Sequence, residues 1–565
     1  MPAKPAVRRI KYLASRLAGW LLLAAWVAGC GQVAGVGGPP PTAPGAVTLT
    51  IQADGASKTY TFTPGLTVRE AVAQAGVTLG ELDRLTPPPY SLIAGGLAIV
   101  ITRVSETFDV VQAALPYTSE TVHNEALPAG DQRLLQVGQP GAEEITYRTV
   151  LENGIQVSRS EVRRVTITAP TPEVIMVGSQ GSFTIVPISG TLAYIDGRNA
   201  WVMHGNSGQR LPLTASGDLD GHVFDLSADG QWLLYTREVT GSDKSFNTLW
   251  AVATAPITPT RTNTQTTPIT VRLPISNVLY AEWSPVEPRQ LAFSTADRIA
   301  RAPGWQANND LWLMGFAPRA GTHQYVYTTT RLLDASSGGL YGWWGTGYAF
   351  APDGKSIAYA RTDSIGLINF TLNARKSATA TVTSSVLLPL SAYNTHSDWA
   401  WYPAMRWSPD GHGLYIITHG PPIGLEAAED SPAFDVTALL VPAGQALNLI
   451  PRAGMFANPL PAPVRTSLAG EKSFGIAFLQ ATNPNDSPHT TYRLAVMDRD
   501  GSNVKFVFPP KDQPGLSANS QAAWSPDGRL LVVAYDGNLW LVNPATGQTQ
   551  QVTGDGLTTT ARWER

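Results

Sequence analysis

The chain alternates short apolar runs with turn residues over most of its length, and the spacing of those runs divides it into stretches. Leu17 to Val27 is a single apolar run of about eleven residues, well short of the roughly 20 that a spanning helix needs. Val47–Ile51 and Lys58–Thr63 alternate apolar and polar positions around Asp54-Gly55, which predicts a hairpin. Thr67-Val-Arg-Glu70 reads as a capping box that opens a short helix, and Gly76 closes it. Asp83 and Pro87-Pro88-Pro89 follow, and Leu97–Val104 returns to strand alternation. Residues 47–104 are therefore expected to form a small β-grasp-like domain.

Residues 105–179 read as further strands with spaced glycines: Gly130, Gly138, Gly141, Gly154 and Gly178. Asn153-Gly154 predicts a type I′ hairpin turn. All five glycines are expected at positions of positive φ or close chain approach.

From about residue 182 the pattern becomes a degenerate repeat. Its clearest unit is an aromatic residue, Ser-Pro-Asp-Gly, and an apolar run, at Trp407–Gly411 and Trp524–Gly528. Variants stand at Leu226–Gly230, Trp283-Ser-Pro and Phe350–Gly354, with a weak copy at Ser467-Leu-Ala-Gly470. Pro presets φ at the second turn position, Asp suits the third, and Gly takes the left-handed one. Each box is thus a tight turn between an inner strand and the next strand of a four-stranded unit. Repeats of about 40–65 residues with four strands each predict a β-propeller. Inner strands near residues 223, 281, 348, 405, 464, 522 and 561 make seven units, with six and eight as alternatives. Leu192–Ile195, Trp201–His204 and Leu211–Thr214 form a first unit without its own inner strand, whereas Thr559–Trp563 has no unit after it. The expectation is a ring closed by that last strand. The fold class is mainly β, with the propeller over 182–565.

Composition changes the picture in three ways. Charged residues are only 15% of the 565, Gly (52) and Pro (44) are plentiful, and net charge is −3, so no basic surface points to nucleic acid. One cysteine excludes an intrachain disulfide and a Cys-based zinc site. The eight histidines form no His-Glu-x-x-His pattern, and there is neither a Gly-x-Ser-x-Gly elbow nor a phosphate loop, so no metal or cofactor is expected.

The single cysteine stands at a telling place. Lys4, Arg8, Arg9, Lys11 and Arg16 precede the apolar run, and Val27-Ala28-Gly29-Cys30 follows it. This is the layout of a secretory signal peptide over residues 1–30. Val-Ala-Gly-Cys resembles the lipobox of bacterial lipoproteins. The resemblance implies lipidation at Cys30, palmitate among the acyl chains, and anchoring of an extracytoplasmic protein to a membrane. Arg8-Arg9 also suits twin-arginine export, but the general secretory route is preferred. Residues 31–46, rich in Gly and Pro, are then a tether.

Three more resemblances follow from the residues above. Asp54-Gly55, Thr67–Glu70, Ala75-Gly76-Val77, Asp83 and Ile99–Arg103 resemble the small domain found ahead of G-five domains in YabE-type wall proteins and resuscitation-promoting factors. Residues 105–179, with Glu152-Asn-Gly154 and Pro172–Gly178, resemble a G-five domain, which implies contact with N-acetylglucosamine-containing glycan. The boxes resemble TolB-like, WD-related propeller repeats. In that geometry the loops Arg298–Asn309 and Thr418–Phe434 share a face with the aromatic loops around Trp343-Trp344 and Trp399–Trp401.

Trp305, Trp343, Trp344, Trp399 and Trp401 are therefore the candidate ligand-binding cluster, because aromatic walls stack on sugars and dominate interfaces. The competing reading is that these rings only pack between neighbouring units. Glu282, Asp398, Glu429 and Asp430 are candidate acids for glycoside chemistry, which needs a carboxylate pair, but they form no recognisable pattern. The resulting expectation is a non-catalytic envelope lipoprotein that contacts cell-wall glycan, peptidoglycan or another, and presents a propeller face to protein or glycan. The alternatives are a TolB-like scaffold for envelope proteins and a carbohydrate-active enzyme.

Overall fold

A computed structural model describes residues 45–124, 127–179, 183–242, 244–255, 268–319, 324–373, 379–466 and 470–565. Cys30, the signal-peptide run and residues 31–44 of the expected tether lie outside the described residues. The chain is mainly β. It divides into two compact units: residues up to Val111 with Ile145–Arg164, and Gln112–Glu144 with Val165–Arg565.

In the first unit, β1 (Val47–Ala53), β2 (Ala56–Phe62), α1 (Val68–Gln74), β3 (Arg84–Thr86) and β4 (Ala98–Thr102) form the small domain. The sheet order is β2-β1-β4-β3, with β4 parallel to β1. Asp54 and Gly55 both take positive φ (53° and 74°), as the tight β1–β2 turn requires. Thr67 caps α1 with the reciprocal Glu70 contact of a capping box. Val68, Ala71 and Val72 then face Leu49, Ile51 and Ile99 in the core. Arg103 ties the ends together, reaching Asp54 Oδ1 at 2.8 Å and the buried Asp83 Oδ2 at 2.6 Å.

The next strands are β5 (Val104–Leu115), β6 (Ser119–Asn124), β7 (Gln132–Gln136), β8 (Gly141–Glu152), β9 (Ile155–Thr168) and β10 (Glu173–Gly178). They form the sheets β5-β8-β9 and β6-β10-β7. The spaced glycines are backbone positions, as expected. Gly130 and Gly154 take φ of 86° and 83°. A Cβ at Gly138, Gly141 or Gly178 would stand 2.3 Å from the Tyr117 ring, 2.3 Å from Thr168 O or 1.9 Å from Pro128 O.

Seven larger sheets follow among the described residues. Sheet I joins Arg210–Pro212, Asn199–Asn206 and Pro187–Asp196 to the distant strand Thr558–Glu564. Sheet II holds Leu219–Leu226, Trp232–Glu238, Asn247–Ala253 and Thr270–Ser276. Sheet III holds Val278–Trp283, Gln290–Arg298, Leu311–Pro318 and Tyr325–Leu333, with Trp305–Ala307 added beside Gln290–Arg298. Sheet IV runs from Gly347–Phe350 to Ala380–Pro389, and sheet V from Met405–Trp407 to Ala446–Ile450. Sheet VI runs from Leu460–Pro461 to Lys505–Phe508, and sheet VII from Ala522–Trp524 to Thr549–Gln551. The first strand of each sheet from II to VII lies beside the first strand of the next. Thr558–Glu564 lies beside both Ala522–Trp524 and Leu219–Leu226.

The boxes are the turns between first and second strands. Gly230, Gly354, Gly411 and Gly528 take φ of 66–72°, and each donates its N–H to the carbonyl three residues back. In three of them the serine Oγ donates to the aspartate Oδ1 at 2.6 Å and accepts the N–H five residues on, closing the turn from inside. The box tryptophan ties neighbouring sheets: the indole N–H of Trp283, Trp407 and Trp524 donates to Asp225 O, Ala349 O and Leu460 O of the preceding first strand.

At the weak copy of the box, residues 467–469 lie outside the described residues; the innermost strand of this sheet is Leu460–Pro461, and a ribbon of Arg465–Thr466 with Lys472–Ser473 intervenes before Gly475–Ala481. The prolines around this position lack N–H donors, which keeps the strand to two residues. Near residue 180, Val122, Leu127, Val174 and Met176 share one core with Leu192, Trp201 and Trp563, so the strands on either side of it pack together within the second unit.

Candidate functional site

The five candidate tryptophans separate into two settings. Trp305 pairs opposite Arg298 on the added strand of sheet III. Trp343 and Trp344 sit in the single helical turn Gly342–Trp344 that leads into sheet IV. The Trp305 and Trp344 rings meet at 5.0 Å, and Trp343 stands edge-on to Trp344 at 5.5 Å. All three are half-buried, and Tyr341 beside them is exposed.

The support under this trio is rigid. Buried Asn309 donates to Gly342 O at 2.8 Å and accepts from Thr346 Oγ1 at 2.7 Å. A Cβ at Gly342 would stand 1.9 Å from Ser337 O, so the turn closes only with glycine there. The trio is thus a fixed aromatic ledge with part of its surface open to solvent.

Trp401 is different, and its place in the binding cluster is corrected. It is 4% exposed, its indole N–H donates to Met455 O at 3.3 Å, and its ring packs edge-on to Phe434 at 5.0 Å. Trp399 is half-buried against the same core of sheets V and VI. For Trp401 the packing reading holds: an aromatic sequence does not say whether a ring turns into the core or out to solvent. In the long loop 418–434, His419 is buried between Ser391 O and Ser431 O, Glu426 accepts N–H bonds from Ile423 and Gly424, and Asp430 pairs with His396 at 2.8 Å. These contacts shape the loop.

Glu282 leads to a group that the sequence reading missed. Glu282 and Arg406 stand immediately before a box tryptophan, Asp225 before Leu226 of the box variant, and Arg562 before Trp563 of the last strand. The common position brings the four charges within electrostatic reach of one another. Asp225 accepts the Trp283 N–H at 2.9 Å, and Glu282 accepts Phe350 N–H at 2.9 Å and Tyr280 O–H at 2.6 Å. Each acid therefore bridges to the next sheet's first strand. Enclosure and the neighbouring Asp225 push the Glu282 carboxyl up to about 7. Enclosure also raises Asp225, and lifts Glu564 to about 8. The Arg562 guanidinium is lowered by enclosure and raised by Asp225. Lining up the large apolar residue near the end of each inner strand, and reading the residue before it, would have exposed this pattern. Among the described residues no group of His, Cys, Asp and Glu is arranged to hold a metal ion, and no helix is long and apolar enough to cross a membrane.

Comparison with known proteins gives three family matches. Residues 106–180 match the G5 domain, 49–89 the G5-linked-Ubiquitin-like domain, and 476–562 the Dipeptidyl peptidase IV (DPP IV) N-terminal region. Resuscitation-promoting factor Rpf2 of Corynebacterium glutamicum is 29% identical over 157 residues, 27% of this chain and 41% of that protein. Resuscitation-promoting factor RpfB of Mycolicibacterium smegmatis is 23% identical over 165 residues, 28% of this chain and 46% of that one. The chain thus spans less than half the length of these relatives. Among solved structures, TolB from Acinetobacter baumannii is 10% identical, with 81% of this chain and 99% of that chain covered and a TM-score of 0.32. The HP0197-G5 structure is 22% identical over 14% of this chain and 99% of that chain, with a TM-score of 0.13.

Proposed function

We propose that the protein is an exported envelope lipoprotein, anchored through Cys30, whose G5 domain contacts cell-wall glycan and whose seven sheets are the blades of one propeller closed by Thr558–Glu564. The observation that carries the reading is the match of 49–89 and 106–180 to two domains that go together by name, reinforced by the resuscitation-promoting factors. The resemblance implies N-acetylglucosamine-containing glycan as the ligand of that region. The succession of first strands and the pairing of Thr558–Glu564 with Pro187–Asp196 support the closed ring.

The propeller works by binding, without catalysis. Glu282 and Asp225 support this reading, because one oxygen of each carboxylate is held by a backbone N–H group, with a tyrosine hydroxyl also on Glu282. The ledge of Trp305, Trp343 and Trp344 is the propeller's ligand face, with a sugar ring or an apolar peptide side chain as the element recognised.

The test is retention of the full chain on purified peptidoglycan, competed by N-acetylglucosamine oligomers. Retention that the oligomers displace is expected; no retention rejects the wall-contact reading. For the propeller face, Trp344→Ala should leave the melting transition in place while abolishing recovery of ligand from envelope extracts. A variant that merely unfolds would return Trp344 to a packing role.

A further inference from the structure

Sheet VI has a first strand of only two residues, and the space that a longer strand would fill is open. It forms a cavity of about 180 Å³, bounded by the first strands of sheets V, VI and VII and by Thr558–Glu564. Its floor is apolar, with Phe478 and Leu494, and its rim carries Arg406, Asn458, Gln521 and Arg562. Arg562 Nη1 donates to Gln521 Oε1 at 2.9 Å, and Arg406 Nη1 donates only to the adjacent Met405 O at 3.1 Å. Among the described residues neither guanidinium has a carboxylate within ion-pair distance. Arg406 is exposed to the solvent of the cavity.

Two guanidinium groups facing one small space repel each other, and each keeps unused N–H donors in a planar fork suited to a carboxylate. The acids nearby do not neutralise them at short range. Asp225 and Glu282 are turned to the backbone N–H groups of the neighbouring strands. Enclosure and Asp225 raise the Glu282 carboxyl to about 7, which reduces the negative charge it offers near neutral pH. What remains is a concave site in which the guanidinium pair, within electrostatic reach of Asp225 and Glu282, has no carboxylate in contact and amide groups beside it. A cavity of this size has room for one small molecule.

We infer that this cavity binds a small carboxylate with a hydroxyl-bearing body, a hydroxy acid or a monosaccharide acid, held by Arg406 and Arg562. Gln521 holds Arg562 in place, and Asn458 offers an amide to the hydroxyls. This site is separate from the tryptophan ledge and does not rest on the glycan reading.

Calorimetric titration of the full chain in detergent with D-glucuronate tests it, with D-glucose and inorganic phosphate as parallel probes. Saturable glucuronate binding is expected, with no heat from glucose and at least tenfold weaker binding in Arg406→Gln and in Arg562→Gln. Arg406→Lys, which keeps the charge and loses the fork, should fall between, and a melting curve on each variant shows that it is folded. Absence of glucuronate binding overturns the inference. So does equal binding of glucose, binding of phosphate alone, or glucuronate affinity unchanged in the folded variants.

Discussion

At Gly411 the backbone holds φ at 72°, and the nearest atom to an added Cβ is Pro352 Cδ at 3.9 Å. Gly411→Ala therefore meets only backbone strain, expected to cost about 1 kcal/mol. At Gly230 the same substitution would also put Cβ 2.0 Å from Arg565 O, so its cost should be clearly larger. Urea midpoints of the two variants check the order; equal midpoints would contradict the turn geometry. Glu282 offers a second test at this scale. Its carboxyl is raised in the folded state by enclosure and by Asp225, with Tyr280, Arg406 and the Phe350 N–H also facing it. An acid whose folded range is raised loses stability as pH climbs from its unfolded value of 4.5 to about 7. Glu282→Gln should remove its part of that decline, seen as a flatter melting temperature between those pH values. The box turns were legible because their chemistry is local: Ser, Pro, Asp and Gly act on the backbone within five residues. Burial of Trp401 was not legible, since it depends on Phe434 and Met455 from distant parts of the chain.

At the scale of elements, local alternation located most strands, and the first strands of the repeats fell near their expected places except in sheet VI. What alternation did not convey was packing across elements. The residues of β6 and β10 carry ordinary strand patterns, yet Val122 and Met176 complete a core with sheet I. The charge cluster was hidden for the same reason, since its members are contributed singly by strands far apart in sequence. The closing strand yields the sharpest test here. Trp563 is 3% exposed and its indole N–H donates to Ser189 O at 2.6 Å. Trp563→Ala should cost about 3–5 kcal/mol, within the range for large aromatic truncations in cores. Equilibrium unfolding would show a midpoint shift throughout the second unit if the strand closes a ring, and a local effect confined to sheet I if it does not.

For the whole molecule, lipid and glycan would hold the same chain at two levels of the envelope. Cys30→Ser should release the protein from the membrane fraction while leaving peptidoglycan retention intact, which fractionation with and without wall digestion can check. If the variant stays with membranes after wall digestion, the lipid is not its anchor. The pairing of Pro187–Asp196 with Thr558–Glu564 also has a consequence in time. A chain that crosses a membrane from its beginning onward delivers sheet I in two instalments, with more than 350 residues between them. Until the second arrives, the inner edge of Pro187–Asp196 is an unpaired strand, open to other chains and to proteases. Assembly is thus governed by its latest step, and a chain stalled late in export would be left with the first of its seven larger sheets unfinished.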